Sequence, residues 1–269
     1  MGKLADTEIT LKSMQSPAVI PARMAAIANA LALKRVPAGA PMVEERTTFT
    51  VRIAHTEEDL WKAVHVRHAA YARHVPTLAE RLKQPEAYDY DDASAVLLAE
   101  SKLDGAPLGT MRVQTNRTGR LAIEQSVRLP EWLQDRRLAE ATRLGISQGR
   151  TGRVVKMMLF KAFYHYCLAG HVDWMVIGAR EPLDKQYAAL LFENVFPGSG
   201  LVPLRHAGDI PHRILAFEIG TAEARWAEAR HPLYDFFCCT FHPDIDVRDA
   251  RRETRFPAPL AGAPGVLLA

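Results

Sequence analysis

The sequence predicts an α/β or α+β fold, in which a mixed β-sheet is flanked by helices in a single main domain. The first observation is a hairpin: residues 94–100 and 108–115 have strand patterns and are joined through Asp104-Gly105, a strong turn signal. The second is that predicted strands lie on both sides of a few helices along the chain. With 269 residues, of which 48% are hydrophobic, the chain is long enough to bury a full core.

Local patterns predict the individual elements. Residues 48–54 alternate as a strand, and Thr56 provides an N-cap for a helix over about 57–74. A second helix, at 152–169, is apolar around at least half of its circumference and ends at Gly170. Further strands are predicted at 121–125, 140–146, 172–178 and 212–219. A short or irregular helix is predicted at 76–86, and a helical turn at 130–133. Two more helices are predicted at 182–195 and 222–241, and a break of the second helix at Pro232 is the alternative.

The chain divides into four predicted parts. Residues 1–45 form an N-terminal extension with a short amphipathic helix at 21–35. The main domain spans residues 46–220. A helical extension at 221–254 packs on this domain, and a disordered tail rich in Pro, Ala and Gly follows at 255–269.

Composition argues against several classes of protein. The net charge of +3 is too weak to favour nucleic-acid binding. No stretch reaches ~18 uninterrupted apolar residues, so no transmembrane span is expected. Three cysteines, two of them adjacent, build no disulfide framework and suit a reducing compartment, which indicates a cytoplasmic protein. The acidic and histidine residues show no convincing ligand spacing, so no metal is expected.

Five charged residues lie where apolar or alternating patterns predict core or sheet. Burying a charge is costly unless the charge is paired. The set therefore indicates a polar site inside the fold, and a buried ion-pair network with a purely structural role is the alternative. The five residues are Arg67, Asp92, Arg112, Glu140 and Arg143.

The segment at 140–170 passes from a strand through a glycine-bearing turn into the long helix. Gly149 and Gly152 allow the backbone to approach a ligand closely. The free N–H groups at the start of the helix, with Arg150 and Arg153 beside them, favour an anion such as a phosphate. An ordinary strand-to-helix turn with solvated arginines is the alternative.

This strand–turn–helix unit resembles that of the GCN5-related N-acetyltransferase superfamily, in which it cradles the phosphopantetheine arm of an acyl donor. The charged residues carry a narrower resemblance, to the long-chain N-acyl amino acid synthases and the related acyl-homoserine-lactone autoinducer synthases. Those families share an Arg and an aromatic on the first helix, two aspartates, an Arg after a Gly in a hairpin strand, and Glu-x-x-Arg before the turn. The matching residues are Arg67 and Tyr71, Asp89 and Asp92, Gly109 and Arg112, and Glu140 and Arg143.

The amino acid synthase branch is the closer resemblance. The homoserine-lactone synthases usually have a Trp shortly after the first-helix aromatic, and the stretch after Tyr71 has none. They also have a Ser before the Arg of Glu-x-x-Arg, where this chain has Thr142.

The resemblance implies a mixed, mostly antiparallel sheet flanked by helices, with extra N- and C-terminal helices. It implies an N-acyltransferase that moves a long-chain fatty acyl group from an acyl carrier protein thioester to the amine of an amino acid. The alternatives are an acyl-homoserine-lactone synthase, an enzyme that uses acyl-coenzyme A, and a non-catalytic member that binds an acyl chain or a carrier protein. No bound cofactor is expected, because the phosphopantetheine belongs to the donor.

The resemblance also assigns residues to roles. The catalytic pair is Glu140 and Arg143. The substrate-binding residues are Arg67, Tyr71, Asp89, Asp92 and Arg112. The residues that bind the phosphopantetheine arm and the acyl group are Leu144, Gly145, Ile146, Gly149, Arg150, Thr151, Gly152 and Arg153.

Strand alternation would place Glu140 and Arg143 on opposite faces of the sheet. A bulge near 141–144 would bring both to the site and free backbone N–H groups for the oxyanion of the tetrahedral intermediate. Glu140 would then pair with Arg143 or Arg67 and organise the site, or accept the amine proton. The organising role is favoured, since an ion-paired carboxylate has a lowered pKa and is a poor base. Arg112 would hold the acceptor's carboxylate or face solvent.

Two further features suit a carrier-bound donor. The stretch from 136 to 161 is basic and complements an acidic acyl carrier protein, with a solvated basic face as the alternative. The apolar residues of the long helix either form core or line a tunnel for the acyl chain. They are Val155, Met158, Leu159, Phe163 and Tyr166.

Overall fold

Residues 42–248 are described by the computed structural model, so the helix predicted at 21–35 and the tail predicted at 255–269 lie outside the described residues. The strands are β1 (Val43–Glu44), β2 (Phe49–Ile53), β3 (Ser94–Ser101), β4 (Pro107–Thr115), β5 (Leu138–Ile146), β6 (Trp174–Ala179), β7 (Glu193–Asn194), β8 (Val202–Leu204), β9 (Ile210–Glu218), β10 (Thr240–Phe241) and β11 (Ile245–Asp246). The helices are α1 (Glu57–Ala72), α2 (Pro76–Arg81), α3 (Gly152–Ala169), α4 (Asp184–Ala189) and α5 (Ala222–Glu228). Within residues 42–248, none of the helices combines the length and hydropathy that crossing a membrane requires.

Nine strands of the described part of the chain form one mixed sheet, in the order β11-β2-β3-β4-β5-β6-β9-β7, with β8 pairing with β9 off that path. Strands β2 to β5 are antiparallel neighbours, and β6 is antiparallel to β9. Strand β6 is parallel to β5, and the chain crosses between them through α3. The predicted mixed, mostly antiparallel sheet is confirmed.

The two faces of the sheet are covered by different helices. Helix α3 packs on one face and contributes most of its side chains to the main hydrophobic core. Helix α1 packs on the opposite face, where Leu60 and Val64 lie against Val96 and Leu98 of β3. All five α3 residues considered as tunnel or core are at most 4% exposed and belong to that main core. They are therefore core residues.

Helix α1 begins where the sequence predicts. The hydroxyl of Thr56 accepts a hydrogen bond from the backbone N–H of Asp59 at 3.1 Å, and the Asp59 carboxylate accepts from the backbone N–H of Thr56 at 3.3 Å. This reciprocal cap satisfies two of the free N–H groups at the helix start.

The segment predicted as a strand at 121–125 is instead a 3-10 turn, Ala122–Gln125. Two of its backbone N–H groups are bonded by an amide and an acidic side chain rather than by a neighbouring strand. Gln114 accepts from Ala122, and Glu140 accepts from Ile123. The apolar residues of this turn are buried, which explains why their pattern resembles that of a strand.

The segments predicted as helices at 182–195 and 222–241 are shorter than expected. Helix α4 is followed directly by the two-residue strand β7. Helix α5 ends before Pro232, which cannot continue a helix, and a π-helical turn at Asp235–Cys239 leads into β10. The C-terminal extension is therefore not helical throughout, because β11 adds to the main sheet beside β2.

The buried side chain of Lys161 ties this C-terminal segment to α3. Its ammonium group donates to the backbone carbonyls of Phe236 and Thr240, and its nitrogen lies 3.0 Å from Nδ1 of His242. Burial lowers the pKa of Lys161 to about 8. Three polar partners from one segment compensate for placing an amine in the core.

Replacing this lysine by an apolar side chain of similar length should weaken the attachment. We expect Lys161→Met to lower the free energy of unfolding by ~2 kcal/mol, because two buried carbonyls lose their donor. Urea unfolding measures the change, and Lys185→Met, at an exposed position, is the matched control. If Lys161→Met has the same free energy of unfolding as the wild type, burying the amine costs as much free energy as its hydrogen bonds contribute.

Candidate active site

Strands β5 and β6 part from each other near the middle of the sheet. Their paired register ends at Ala141 and Ile177. Strand β5 continues to Ile146, whereas Gly178 and Ala179 of β6 remain paired with β9. The edge of β5 beyond this point therefore faces a gap instead of a neighbouring strand.

A cavity of about 260 Å³ occupies this gap. Its walls come from the end of α1 and the following residues, and from residues 141–146 of β5. The other walls come from residues 178–183, at the end of β6 and just after it, and from the segment at 206–212. Apolar side chains such as Leu78, Met111 and Leu144 lie beside polar ones.

A β-bulge shapes the β5 wall of the cavity. The register between β4 and β5 shifts where Arg143 and Leu144 lie opposite the single residue Met111. Arg143 has a φ angle of 56°, in the left-handed region that residues with a side chain rarely adopt. The bulge interrupts the alternation of side chains and turns Arg143 to the side of the sheet on which Glu140 lies. The bulge predicted at 141–144 is confirmed.

Three arginines and two carboxylates form a buried network beneath α1. Arg67 donates to both carboxylate oxygens of Asp89, at 2.7 and 2.8 Å. Arg143 donates to both oxygens of Glu86, at 2.6 Å each. Nη1 of Arg112 lies 3.0 Å from Glu86 and 3.2 Å from Asp89, so it joins the two pairs.

Both carboxylates of the network are ionised at neutral pH. Burial alone would raise the pKa of Asp89, but Arg67 and Arg112 lower it to about 2. Burial likewise opposes ionisation of Glu86, and Arg143 lowers its pKa. With three guanidinium groups against two carboxylates, the network carries a net charge of +1.

Glu140 stands outside this network. It is fully buried, and its Oε2 accepts a hydrogen bond from the backbone N–H of Ile123 at 2.9 Å. Its Oε1 has no hydrogen bond within residues 42–248 and lies 3.5 Å from Nε2 of His206. Burial raises the pKa of Glu140 to about 7. The expected pairing of Glu140 with Arg143 or Arg67 is wrong, because Glu86 and Asp89 already occupy those arginines.

His206 lies between the cavity and Glu140. It lines the cavity, and its backbone carbonyl accepts a hydrogen bond from Arg143 at 2.7 Å. Burial and the nearby Arg143 and Arg112 lower the pKa of His206 to about 4, so the imidazole is neutral at pH 7.

The structure brings together most of the residues that the sequence assigns to catalysis and to substrate binding, and two of those assigned to the acyl donor. Those that line the cavity are Tyr71, Arg143, Leu144 and Ile146. Arg67, Asp89 and Arg112 lie in the buried network behind it. Asp92 is exposed and takes no part: among the residues that the structure describes, its carboxylate has no ion pair, and its backbone carbonyl accepts a hydrogen bond from Arg117. Of the two aspartates, only Asp89 faces the arginines, because the turn at Ala87–Asp89 directs its carboxylate inward.

The residues assigned to the donor arm lie on β5 and in the loop that follows. A Cβ atom at Gly145 would lie 3.0 Å from Cα of Arg67, so this glycine allows β5 to approach α1 closely. Gly149 has a φ angle of 149° and open space where a side chain would begin. Gly152 starts α3, and its three neighbours are exposed and do not line the cavity. These are Arg150, Thr151 and Arg153.

The predicted basic face at 136–161 is smaller than the sequence suggests. Arg143 and Lys161 are buried, with 4% and 0% exposure, and Arg137 is paired with Asp173. Arg150 and Arg153 make no ion pair within residues 42–248 and are exposed beside the start of α3. They form the remaining basic surface near the cavity.

Sequence reasoning missed two residues of the site, Glu86 and His206. Glu86 lies in the acidic stretch before Asp89. Three of the five charged residues that the sequence places in core or sheet are arginines, and this excess of positive charge could have indicated a missing carboxylate. His206 lies in a 3-10 turn, Arg205–Ala207, and no sequence pattern around it indicates a site. Within residues 42–248, no group of His, Cys, Asp and Glu side chains could hold a metal ion.

The solved structure of FeeM, an N-acyl amino acid synthase from uncultured soil microbes, matches this fold with a TM-score of 0.51 at 15% identity, covering 67% of this chain and 96% of that one. The structure of the coenzyme A-dependent acyl-homoserine lactone synthase BjaI is similar with a TM-score of 0.49 at 14% identity, covering 75% of this chain and 97% of that one. No curated protein matches the chain.

The mixed sheet with its parted strands has a GCN5-related N-acyltransferase-like fold, which the FeeM structure shares. The family model described as N-acyl amino acid synthase FeeM matches residues 62–198, which are 137 of the 269 residues. The chain belongs to this family and is an N-acyltransferase.

The two aspartates offer a direct test of the network. We expect Asp89→Asn to lower the free energy of unfolding by ~3 kcal/mol, because it leaves three buried guanidinium groups with one carboxylate. Asp92→Asn, three residues away and exposed, should change stability by less than ~0.5 kcal/mol. Chemical denaturation of both variants measures the difference. Equal effects at the two positions would contradict the role given to Asp89.

Proposed function

We propose that the protein transfers a long-chain fatty acyl group from an acyl carrier protein thioester to the amine of an amino acid. The observation that carries this proposal is the buried Glu140, which lacks a cationic hydrogen-bond partner and sits behind His206 at the cavity between β5 and β6. A carboxylate with a pKa of about 7 can accept a proton at neutral pH, as a general base for amine acylation requires. The base role of Glu140 is thus better supported than the organising role.

In the proposed reaction the amine nitrogen attacks the thioester carbonyl carbon, the C–N bond forms and the C–S bond breaks. Because Glu140 is enclosed, the amine proton passes through His206. The neutral imidazole accepts this proton at one ring nitrogen and releases another from Nε2 to Oε1 of Glu140. The thiolate of the donor then leaves and takes up a proton.

The parted strands suit the donor carbonyl. Backbone N–H groups on the free edge of β5 can stabilise the oxyanion, at ~3 kcal/mol for each well-placed donor. Arg143 and Glu86 hold the bulge in place and so fix the direction of that edge. We assign Arg67, Asp89 and Arg112 to supporting this wall, and Tyr71 to contacting the substrate, since it lines the cavity.

The donor arm would run along residues 144–153, from the cavity to the exposed start of α3. Leu144 and Ile146 would contact the acyl thioester inside the cavity. Arg150 and Arg153 would meet the phosphate of the arm or the acidic surface of a carrier protein. The cavity is small for a long chain and an acceptor together, so the distal part of the chain would lie outside it. The three free cysteines fit a reducing cytoplasm, where we place the reaction.

The proposal is tested by incubating the purified protein with palmitoyl-acyl carrier protein and the twenty amino acids, followed by mass spectrometry. We expect N-palmitoyl amino acids, with palmitoyl-coenzyme A a weaker donor. A homoserine lactone product, formed when S-adenosylmethionine is supplied, would point to the autoinducer branch. The absence of any product with either donor would contradict an acyl transfer role.

Glu140→Gln should lower the turnover number ~100-fold or more while the protein stays folded, because the glutamine oxygen can still accept from Ile123. In the wild type the proton acceptor must be ionised, so activity is low below pH 7 and rises through about pH 7. That rise should be absent from the variant. Glu131→Gln, at an exposed position, is the control. A pH profile that is unchanged in Glu140→Gln would argue against the base role.

Reversing Arg150 and Arg153 to Glu should raise the KM for the carrier-bound donor by ~10-fold at low salt, an effect that added salt should reduce. The matched control reverses Arg120 and Arg136, which are also exposed and give the same change in net charge. Steady-state kinetics with the carrier-bound donor measures both. Equal KM values for the two double variants would argue against docking at the start of α3.

A further inference from the structure

We propose that Arg180 binds the free carboxylate of the acceptor and makes the enzyme selective for acids over their amides. The inference rests on the proposed function and names the residue that would set its acceptor class. The sequence assigns the binding of the acceptor's carboxylate to Arg112. Here this role is given instead to Arg180, which lines the cavity. Arg112 is fully buried, and its Nη1 is already shared by Glu86 and Asp89.

The charged side chains that line the cavity, among the described residues, are all basic. Among the described residues that line it there is no Asp or Glu. A wall of this composition favours an anionic ligand group over a cationic one. The titratable bases that line the cavity are Arg73, His74, Arg143, Arg180, His206 and His212.

Of the three arginines in this lining, two are already engaged. Arg143 donates to Glu86 through two nitrogens. Arg73 donates to the backbone carbonyls of Ala69 and Ile146, at 3.0 and 2.7 Å. The guanidinium of Arg180 makes neither an ion pair nor a hydrogen bond within residues 42–248, so its donors are available to a ligand.

The backbone holds Arg180 in a fixed place. The residue directly follows β6, and its carbonyl accepts hydrogen bonds from the N–H groups of Leu183 and Asp184, at 2.8 and 3.1 Å. The imidazole of His212, beside it, is neutral, because burial lowers its pKa and the charge of Arg180 adds to this effect. The side chain therefore stands on the β6 wall of the cavity, and no carboxylate of residues 42–248 is paired with it.

The geometry of an amino acid fits this arrangement. Its amine and its carboxylate are attached to the same carbon, so a guanidinium that holds the carboxylate restricts the amine to the space close by. A guanidinium and a carboxylate can form two parallel hydrogen bonds, which fix orientation as well as position. With the carboxylate on the β6 wall, the amine is directed to the interior of the gap, which His206 and the free edge of β5 border.

The test compares acids with their amides as acceptors. The twenty amino acids and the matched mixture of their primary α-amides are each supplied with palmitoyl-acyl carrier protein, and product is quantified for wild type, Arg180→Met and Arg180→Lys. We expect the wild type to favour acids, and Arg180→Met to lose ~10- to 100-fold in kcat/KM on acids while its rate on amides is unchanged. Arg180→Lys should keep an intermediate preference. Arg205→Met, next to His206 but outside the cavity lining, should behave as wild type.

The outcomes separate this inference from the proposed function. If the wild type forms no product from acids or amides, the proposed function fails. If it acylates acids and amides equally well, N-acyl transfer stands and the inference about Arg180 is overturned. A preference for acids that persists in Arg180→Met would also overturn it, as would an equal loss on acids and amides in a variant whose circular dichroism matches the wild type.

Discussion

The pairing of three buried arginines with two carboxylates is the constraint on which the rest of the site depends. A guanidinium in the core is costly unless its charge is paired with a carboxylate. The two carboxylates come from one short turn, whereas the arginines come from α1, β4 and β5. The bulge in β5 follows from this arrangement: regular alternation would point Arg143 to the α3 face, away from Glu86. Left-handed backbone at Arg143 is the cost of reaching that partner.

The same pairing separates the carboxylates of the site into two kinds. Glu86 and Asp89 are bonded directly by arginines, which hold their pKa values low. Within residues 42–248, Glu140 accepts a hydrogen bond from a backbone N–H and from no arginine, so burial dominates and its pKa rises. When their surroundings push the pKa values of neighbouring acids apart, one fold can keep some carboxylates ionised and let another exchange a proton. Removing a network carboxylate would therefore affect Glu140 indirectly, by releasing an arginine to pair with it.

The predictable part of the structure is the part determined by short-range chemistry. The hairpin through Asp104-Gly105, the cap at Thr56 and the apolar helix α3 each have a local cause, and each is confirmed. The turn at Ala122–Gln125 was beyond such reasoning, because its N–H groups are satisfied by side chains distant in sequence. Asp89 and Asp92 are equally acidic in the sequence, and only the fold decides which meets the arginines.

The gap between β5 and β6 gives the two strands different tasks. Where a ladder ends, backbone donors and the side chains beside them become accessible to a ligand, whereas within the ladder they are occupied. On β5 the bulge sits at this point and Glu140 lies just before it, so in the proposed reaction proton transfer and oxyanion stabilisation are assigned to that strand. On the opposite wall, β6 is still held by β9 and offers a rigid base for Arg180. For β5 to carry the chemistry and β6 the recognition of the acceptor, the distance between the two strands has to stay constant. The core beneath α3 provides this rigidity, because the α3 side chains pack against both strands at once.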